Sequence, residues 1–258
     1  MAVTTAATSA ALGGCGPVPG DFSGMNPFSP SGADCRSARL NVRVPTAAVP
    51  APAPSPPGLH ILPTGPGPEV LVRVPAAGAA TLRLVVTLHG AGGNARGGLA
   101  PLLPLADANG LLLLAPTSQG STWDALTGRW GPDVRRIDDA LAHVFESYPV
   151  DQARLAISGF SDGASYALSL GLANADLFTH IIAFSPGYIA PARRVGTPRV
   201  YLSHGREDTV LPIERTSRRI VPQLRRTHVP IEAHEFDGPH TVPTAVAEDA
   251  VRWLSEVP

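Results

Sequence analysis

Ser161 stands between two glycines in Gly159-Phe160-Ser161-Asp162-Gly163. That spacing suits a serine presented at the tip of a sharp strand-to-helix turn, where flanking glycines let neighbouring backbone pass close by. The chemistry would be attack on an acyl carbon. A serine hydroxyl is a poor nucleophile at neutral pH, so a base must take its proton. His240, in Asp237-Gly238-Pro239-His240, is the strongest candidate. Asp208, in His204-Gly205-Arg206-Glu207-Asp208-Thr209-Val210-Leu211-Pro212, would orient the imidazole and stabilise its protonated form. The resulting oxyanion needs two preorganised donors. The N–H of Asp162, next after the serine, and that of Ala91, in His89-Gly90-Ala91-Gly92-Gly93, are expected to supply them.

Each assignment has a competitor. Glu207 adjoins Asp208 and could be the acid. His234 alternates within an expected strand, which suits a half-buried structural side chain. His204 precedes the acidic turn and is better placed to stabilise it than to act as the base. Trp123 and Tyr188, both near strand ends, are candidates for the substrate pocket, whereas Trp130, before Gly131-Pro132, reads as structural. The order serine, acid, histidine along the chain supports the leading assignment.

The elements that must position these residues are legible from their apolar patterning. Residues 70–74, 81–88, 111–115, 154–158, 180–184, 199–203 and 231–236 read as strands. The run Leu111-Leu112-Leu113-Leu114-Ala115 has no polar face, as in a parallel strand covered on both sides. Pro132 and Asp133 open a helix with Val134, Ile137, Leu141, Val144 and Tyr148 on one stripe. An alanine- and leucine-rich helix follows the serine. A helix near 213–226 should kink at Pro222, and a last helix over 243–254 turns Val246, Ala250, Trp253 and Leu254 inward. Strands alternating with helices predict an α/β fold: a mostly parallel sheet with helices on both faces and no obvious lid domain. In such sheets sites form beyond the carboxyl ends of strands, where every candidate lies.

Hydrophobic residues make up 44% of the 258-residue chain, enough for one sizeable core. The net charge of −1 gives no basic surface for nucleic acid or an anionic membrane, and no apolar run is long enough to span a bilayer. Nine of the 24 residues from Pro45 to Pro68 are proline, which reads as a linker. The expected division is therefore a low-complexity segment over 1–66 and a catalytic domain over 67–258. Both cysteines, Cys15 and Cys35, fall in the first part. Leu12-Gly13-Gly14-Cys15 resembles a bacterial lipobox, in which Cys15 would carry a lipid anchor. A Cys15–Cys35 disulfide and two unpaired thiols are the other readings. The first two would lean towards export, the third is compatible with the cytoplasm, and the oligomeric state is left open.

With these residues in view, the chain resembles the α/β-hydrolase superfamily, and more narrowly its phospholipase/carboxylesterase group and the related polyhydroxybutyrate-depolymerase and feruloyl-esterase-like hydrolases. The matching segments are LHGAGGNA at 88–95, ISGFSDGASYAL at 157–168, SHGREDTVLP at 203–212 and FDGPH at 236–240. The resemblance implies a serine carboxylic ester hydrolase acting on a small-molecule or polymeric ester through an acyl-enzyme, without cofactor or metal. A thioesterase or polyester depolymerase with the same triad is the alternative, and a non-catalytic binding protein on the same scaffold is a third reading. The chain departs from the usual pattern at Pro239, where a second glycine is common before the histidine, and at Asp162, where a neutral side chain is common.

Overall fold

The computed structural model describes residues 38–45, 56–76 and 81–256. Eight strands form one sheet: β1 (Gly58–Ile61), β2 (Val70–Val74), β3 (Arg83–Leu88), β4 (Leu111–Pro116), β5 (Ala156–Phe160), β6 (His180–Phe184), β7 (Arg199–Gly205) and β8 (Ile231–Phe236). Their spatial order is β1-β2-β4-β3-β5-β6-β7-β8. Strands β3 to β8 are parallel, and β2 runs antiparallel to both its neighbours. The expected mostly parallel sheet is borne out.

Among the described residues six α-helices flank it: α1 (Ala95–Leu99), α2 (Ala106–Asn109), α3 (Pro132–Ser147), α4 (Asp162–Ala173), α5 (Ser217–Arg226) and α6 (Thr244–Ser255). Two apolar cores, one per face, explain the layering. Leu84, Val86, Leu112, Leu114 and Ile157 point to the face packed by α3, α4 and α5. Val85, Leu111, Leu113, Ala115 and Ala156 point to the face packed by α1, α2 and α6. Because successive strand residues alternate between faces, a strand buried on both sides must be apolar throughout, as β4 is. Helix α5 runs through Pro222 as one element, although proline supplies no N–H there.

The linker and the domain boundary need correction. Gly58–Ile61, inside the proline-rich stretch, pairs with β2 as an edge strand. Edge strands tolerate nearby prolines because one side forms no ladder. Ala38 and Leu40 are buried in the α3–α5 core. The Leu40 N–H donates to Asn174 Oδ1 at 2.9 Å, and Asn174 Nδ2 donates to the Ala38 carbonyl at 2.8 Å. The folded unit therefore takes in residues well before 67. Cys15 and Cys35 lie outside the described residues.

Candidate active site

Strands β3 to β7 all end on one rim, and the loops that follow them carry the expected chemistry. At the end of β5 the backbone reverses into α4 through Ser161, at φ 58° and ψ −120°. A non-glycine residue there is strained, and such strain persists only where the surroundings over-determine it. The surroundings do so by exclusion. A Cβ at Gly163 would collide with the carbonyl oxygens of Leu88 and His89, and one at Gly159 would collide with the Gly163 peptide. The glycine spacing thus reflects helix α4 pressed against β3 and β5. Ser161 is 9% exposed, and its N–H donates to the Phe184 carbonyl at 2.9 Å.

The loop after β3, expected to supply an oxyanion donor, lies alongside. A Cβ at Gly90 would sit 3.4 Å from Ser161 Cβ, so this loop packs close to Ser161 at its first glycine. The His89 imidazole stiffens this loop. Ser118 N–H donates to Nε2 at 3.0 Å, which leaves the proton on Nδ1 to donate to the Gly90 carbonyl at 2.7 Å. Burial lowers the His89 pKa, although Gly90 and the Asp162 charge act the other way. The Asp162 N–H, at the first position of α4, has no intrahelical acceptor.

His240 and Asp208 are brought together directly. His240 Nδ1 lies 2.5 Å from Asp208 Oδ2, whose side chain is completely buried. Asp208 Oδ1 accepts the N–H groups of Val210 at 2.9 Å and Leu211 at 2.7 Å. His204 approaches Oδ2 at 3.1 Å through Nε2, which also donates to the Leu211 carbonyl at 2.8 Å. Since Nε2 meets only acceptors, it carries the proton, and Nδ1 accepts from the Ser217 hydroxyl at 2.6 Å. Burial alone would raise the Asp208 carboxyl pKa. The Leu211 N–H and the two histidines outweigh it and hold the carboxyl below its usual range. Glu207 is exposed and makes only a backbone contact, its N–H donating to the Gly238 carbonyl at 3.0 Å. A Cβ at Gly205 would collide with the Gly238 carbonyl, so the acid and histidine loops touch. His234 stacks on Tyr201 within the β8 region, away from this cluster.

Phe160, preceding Ser161, packs its ring 4.6 Å from that of His240, which brings the imidazole close to the β5–α4 turn. Among the described residues no hydrogen bond joins the Ser161 hydroxyl to His240; in unliganded sites this contact is often loose.

Trp123 does not line a pocket. It is 1% exposed, donates its indole N–H to the His89 carbonyl at 2.9 Å, and packs between the His89 and Tyr166 rings. It thereby braces the loop that begins at His89, since a buried indole N–H needs an acceptor. Tyr188 is 43% exposed, and its hydroxyl crosses to the Leu126 carbonyl at 3.0 Å. Burial, then the Asp162 charge, pushes its pKa up to about 12. Its loop is tied to α4, since Ser165 Oγ accepts the Gly187 N–H at 2.9 Å. Trp130 is buried against Tyr166, as expected of a structural residue.

Some contributors carried no sequence signal. The carboxylates of Asp124 and Asp133, both raised in pKa chiefly by burial, accept N–H groups from Gln119, Asp124, Gly131 and Asp133 and so clip the 117–133 segment together. Thr122 donates its hydroxyl to Asp162 Oδ2 at 2.6 Å. Among the described residues no group of three or more His, Cys, Asp or Glu side chains is arranged to hold a metal ion. No helix among them is long and apolar enough to cross a membrane.

Comparison with known proteins agrees with the fold. Residues 133–255 match the phospholipase/carboxylesterase family profile. A 104-residue stretch is 32% identical to feruloyl esterase C of Emericella nidulans, covering 40% of this chain but 37% of that protein. The crystal structure of esterase PE8 superposes with a TM-score of 0.60 at 27% identity, over 71% of this chain and 95% of that one. An S-formylglutathione hydrolase from Staphylococcus aureus gives 0.62 at 15% identity, over 79% and 99% of the two chains. An acetyl xylan esterase from Aspergillus awamori gives 0.58 at 18% identity, over 76% and 98%. The last two likenesses are of fold alone.

Proposed function

We propose that this chain, whose residues 133–255 match the phospholipase/carboxylesterase profile, is an α/β-hydrolase that hydrolyses carboxylic esters through an acyl-serine intermediate formed on Ser161. His240 Nε2 takes the Ser161 proton as Oγ attacks the acyl carbon. The carbonyl oxygen becomes an oxyanion held by the N–H groups of Ala91 and Asp162. As the tetrahedral species collapses, His240 returns the proton to the departing alcohol. Water then attacks the acyl-serine, again giving its proton to His240, and the acid is released with the serine restored. Asp208 keeps the imidazole proton on Nδ1 throughout and stabilises the imidazolium.

The observation that carries this reading is the 2.5 Å pairing of His240 with a completely buried Asp208 carboxylate. A buried charge is costly unless it is paired and hydrogen-bonded, and here two backbone N–H groups and two imidazoles, His204 and His240, satisfy it. Residues 185–198, between β6 and β7, contain no helix or strand that could cap the site, which favours a soluble ester or an exposed polymer chain as substrate.

The test is hydrolysis of p-nitrophenyl butyrate by wild type and Ser161→Ala. The substitution should lower kcat by about 10⁴-fold or more, and a fluorophosphonate should label wild type but not the variant. Wild-type turnover by Ser161→Ala would sink the proposal.

A further inference from the structure

The Asp162 side chain is unexplained by acyl-enzyme chemistry, which uses only its backbone N–H. Its carboxylate is half-buried beside the nucleophile. Oδ2 accepts the Thr122 hydroxyl at 2.6 Å, and among the described residues Oδ1 takes no hydrogen bond and neither oxygen meets an arginine or histidine in an ion pair. Three loops surround it: His89 follows β3, Thr122 follows β4, and Tyr188 follows β6. The Asp162 charge acts on both His89 and Tyr188, which lie on different loops.

The other carboxylates near the site are compensated. Asp208 is saturated by two histidines and two N–H groups. Asp124 and Asp133 lie beneath the 117–133 loop, where backbone N–H groups and the Tyr166 hydroxyl satisfy them. Asp162 is therefore the carboxylate at the mouth with an acceptor oxygen to spare.

We propose that Asp162 is a specificity-determining residue: its carboxylate, beside Ser161 and without an ion-pair partner, selects esters that present a cationic hydrogen-bond donor near the scissile group and rejects esters that carry an anion there. The inference rests on the serine-esterase reading above. An ammonium or other charged donor would share the carboxylate with Thr122. A substrate carboxylate would meet it without a counter-charge. At the separations and effective dielectric of a partly exposed cleft, each effect is worth about tenfold in kcat/KM.

Three p-nitrophenyl esters of equal chain length provide the test: hexanoate, 6-aminohexanoate and the mono-ester of adipate. The ammonium ester should exceed the carboxylate ester by at least about tenfold in kcat/KM, with hexanoate between them. Asp162→Asn keeps an acceptor for Thr122 while removing the charge, and should bring the three esters to within about threefold of one another. Asp162→Ser should do the same if the first variant folds poorly. Dividing each rate by that on hexanoate removes any general loss of activity in a variant. Hydrolysis of hexanoate by wild type with an ammonium-to-carboxylate ratio near one would overturn this proposal and leave the esterase reading standing. A large ratio that survives Asp162→Asn or Asp162→Ser would also overturn it, because the selectivity would then arise elsewhere. Failure of wild type on all three esters together with no fluorophosphonate labelling would overturn the esterase reading itself.

Discussion

Ser161 sits where the centre of the sheet meets a helix, whereas His240 sits on a loop beyond the sheet's exposed edge. Strand β5 has β3 and β6 on either side and is buried along nearly its whole length. Strand β8 has one neighbour and no fully buried residue. Around Ser161, position is enforced by excluded volume: any side chain at 159 or 163 would occupy space held by backbone. Around His240, position is enforced by a hydrogen bond to one buried carboxylate. Steric enforcement fails by unfolding, while hydrogen-bonded enforcement fails first by losing the right tautomer and orientation. Substitutions at the two ends should therefore be read by different measurements.

The sharpest contrast comes from Asp208→Asn. Removing the charge while keeping the shape should cost about 10⁴-fold in kcat, with a urea-midpoint loss equivalent to no more than about 3 kcal/mol. A variant that keeps its rate would mean that His240 is held by something else. Next is Gly163→Ala, where the added methyl meets the β3 carbonyls. The expected loss is about 3–5 kcal/mol of stability, seen as a lowered urea midpoint or as failure to accumulate folded protein. A wild-type midpoint would break the excluded-volume account of the elbow.

Acid probes both ends at once, because each keeps a buried neutral histidine. Burial lowers the pKa of His89 beside the elbow and of His204 beside the acid. Burial, then the charges of Arg199 and Arg154, takes His180 on β6 down to about 4. As pH falls through about 6.5 the unfolded chain takes up these protons first. Stability is then full above that pH and declines towards pH 4, by about 3 kcal/mol for His180 alone. Urea midpoints measured across this range should fall accordingly, and His180→Phe should flatten the slope. The smallest effect belongs to the exposed network in which Arg218 bridges Glu214 and Glu235. Arg218→Ala should leave the urea midpoint close to that of wild type and kcat unchanged.

The elbow was legible in the sequence because its constraint is local: glycine at two fixed offsets, a strand before and a helix after. The sheet was legible because burial on both faces leaves strands such as β4 with no polar residue. The acid was harder to read, since Glu207 and Asp208 differ only in which one turns inward, and burial is not written in residue type. Trp123 was misplaced for the same reason. Its neighbour Thr122 faces the site, and which of two adjacent side chains points inward depends on the packing of Tyr166 and His89. Strand β1 was hidden by prolines that an edge strand tolerates. The docking of residues 38–45 depends on Asn174 and Asp176, far along the chain, and no local pattern announces it.

The register between β3 and β5, in which Leu88 faces Gly159, has a consequence for how the protein matures. These strands are not consecutive, since β4 and α3 lie between them in the chain. Loop-closure entropy must be spent before they pair, so the contact is expected to form after local structure such as α4. The elbow cannot close earlier, because Gly163 packs on carbonyls that β3 supplies. No partly folded species should therefore hydrolyse anything. On the serine-esterase proposal, activity should appear only once β3 and β5 have paired, and a chain released earlier should be inert rather than indiscriminate.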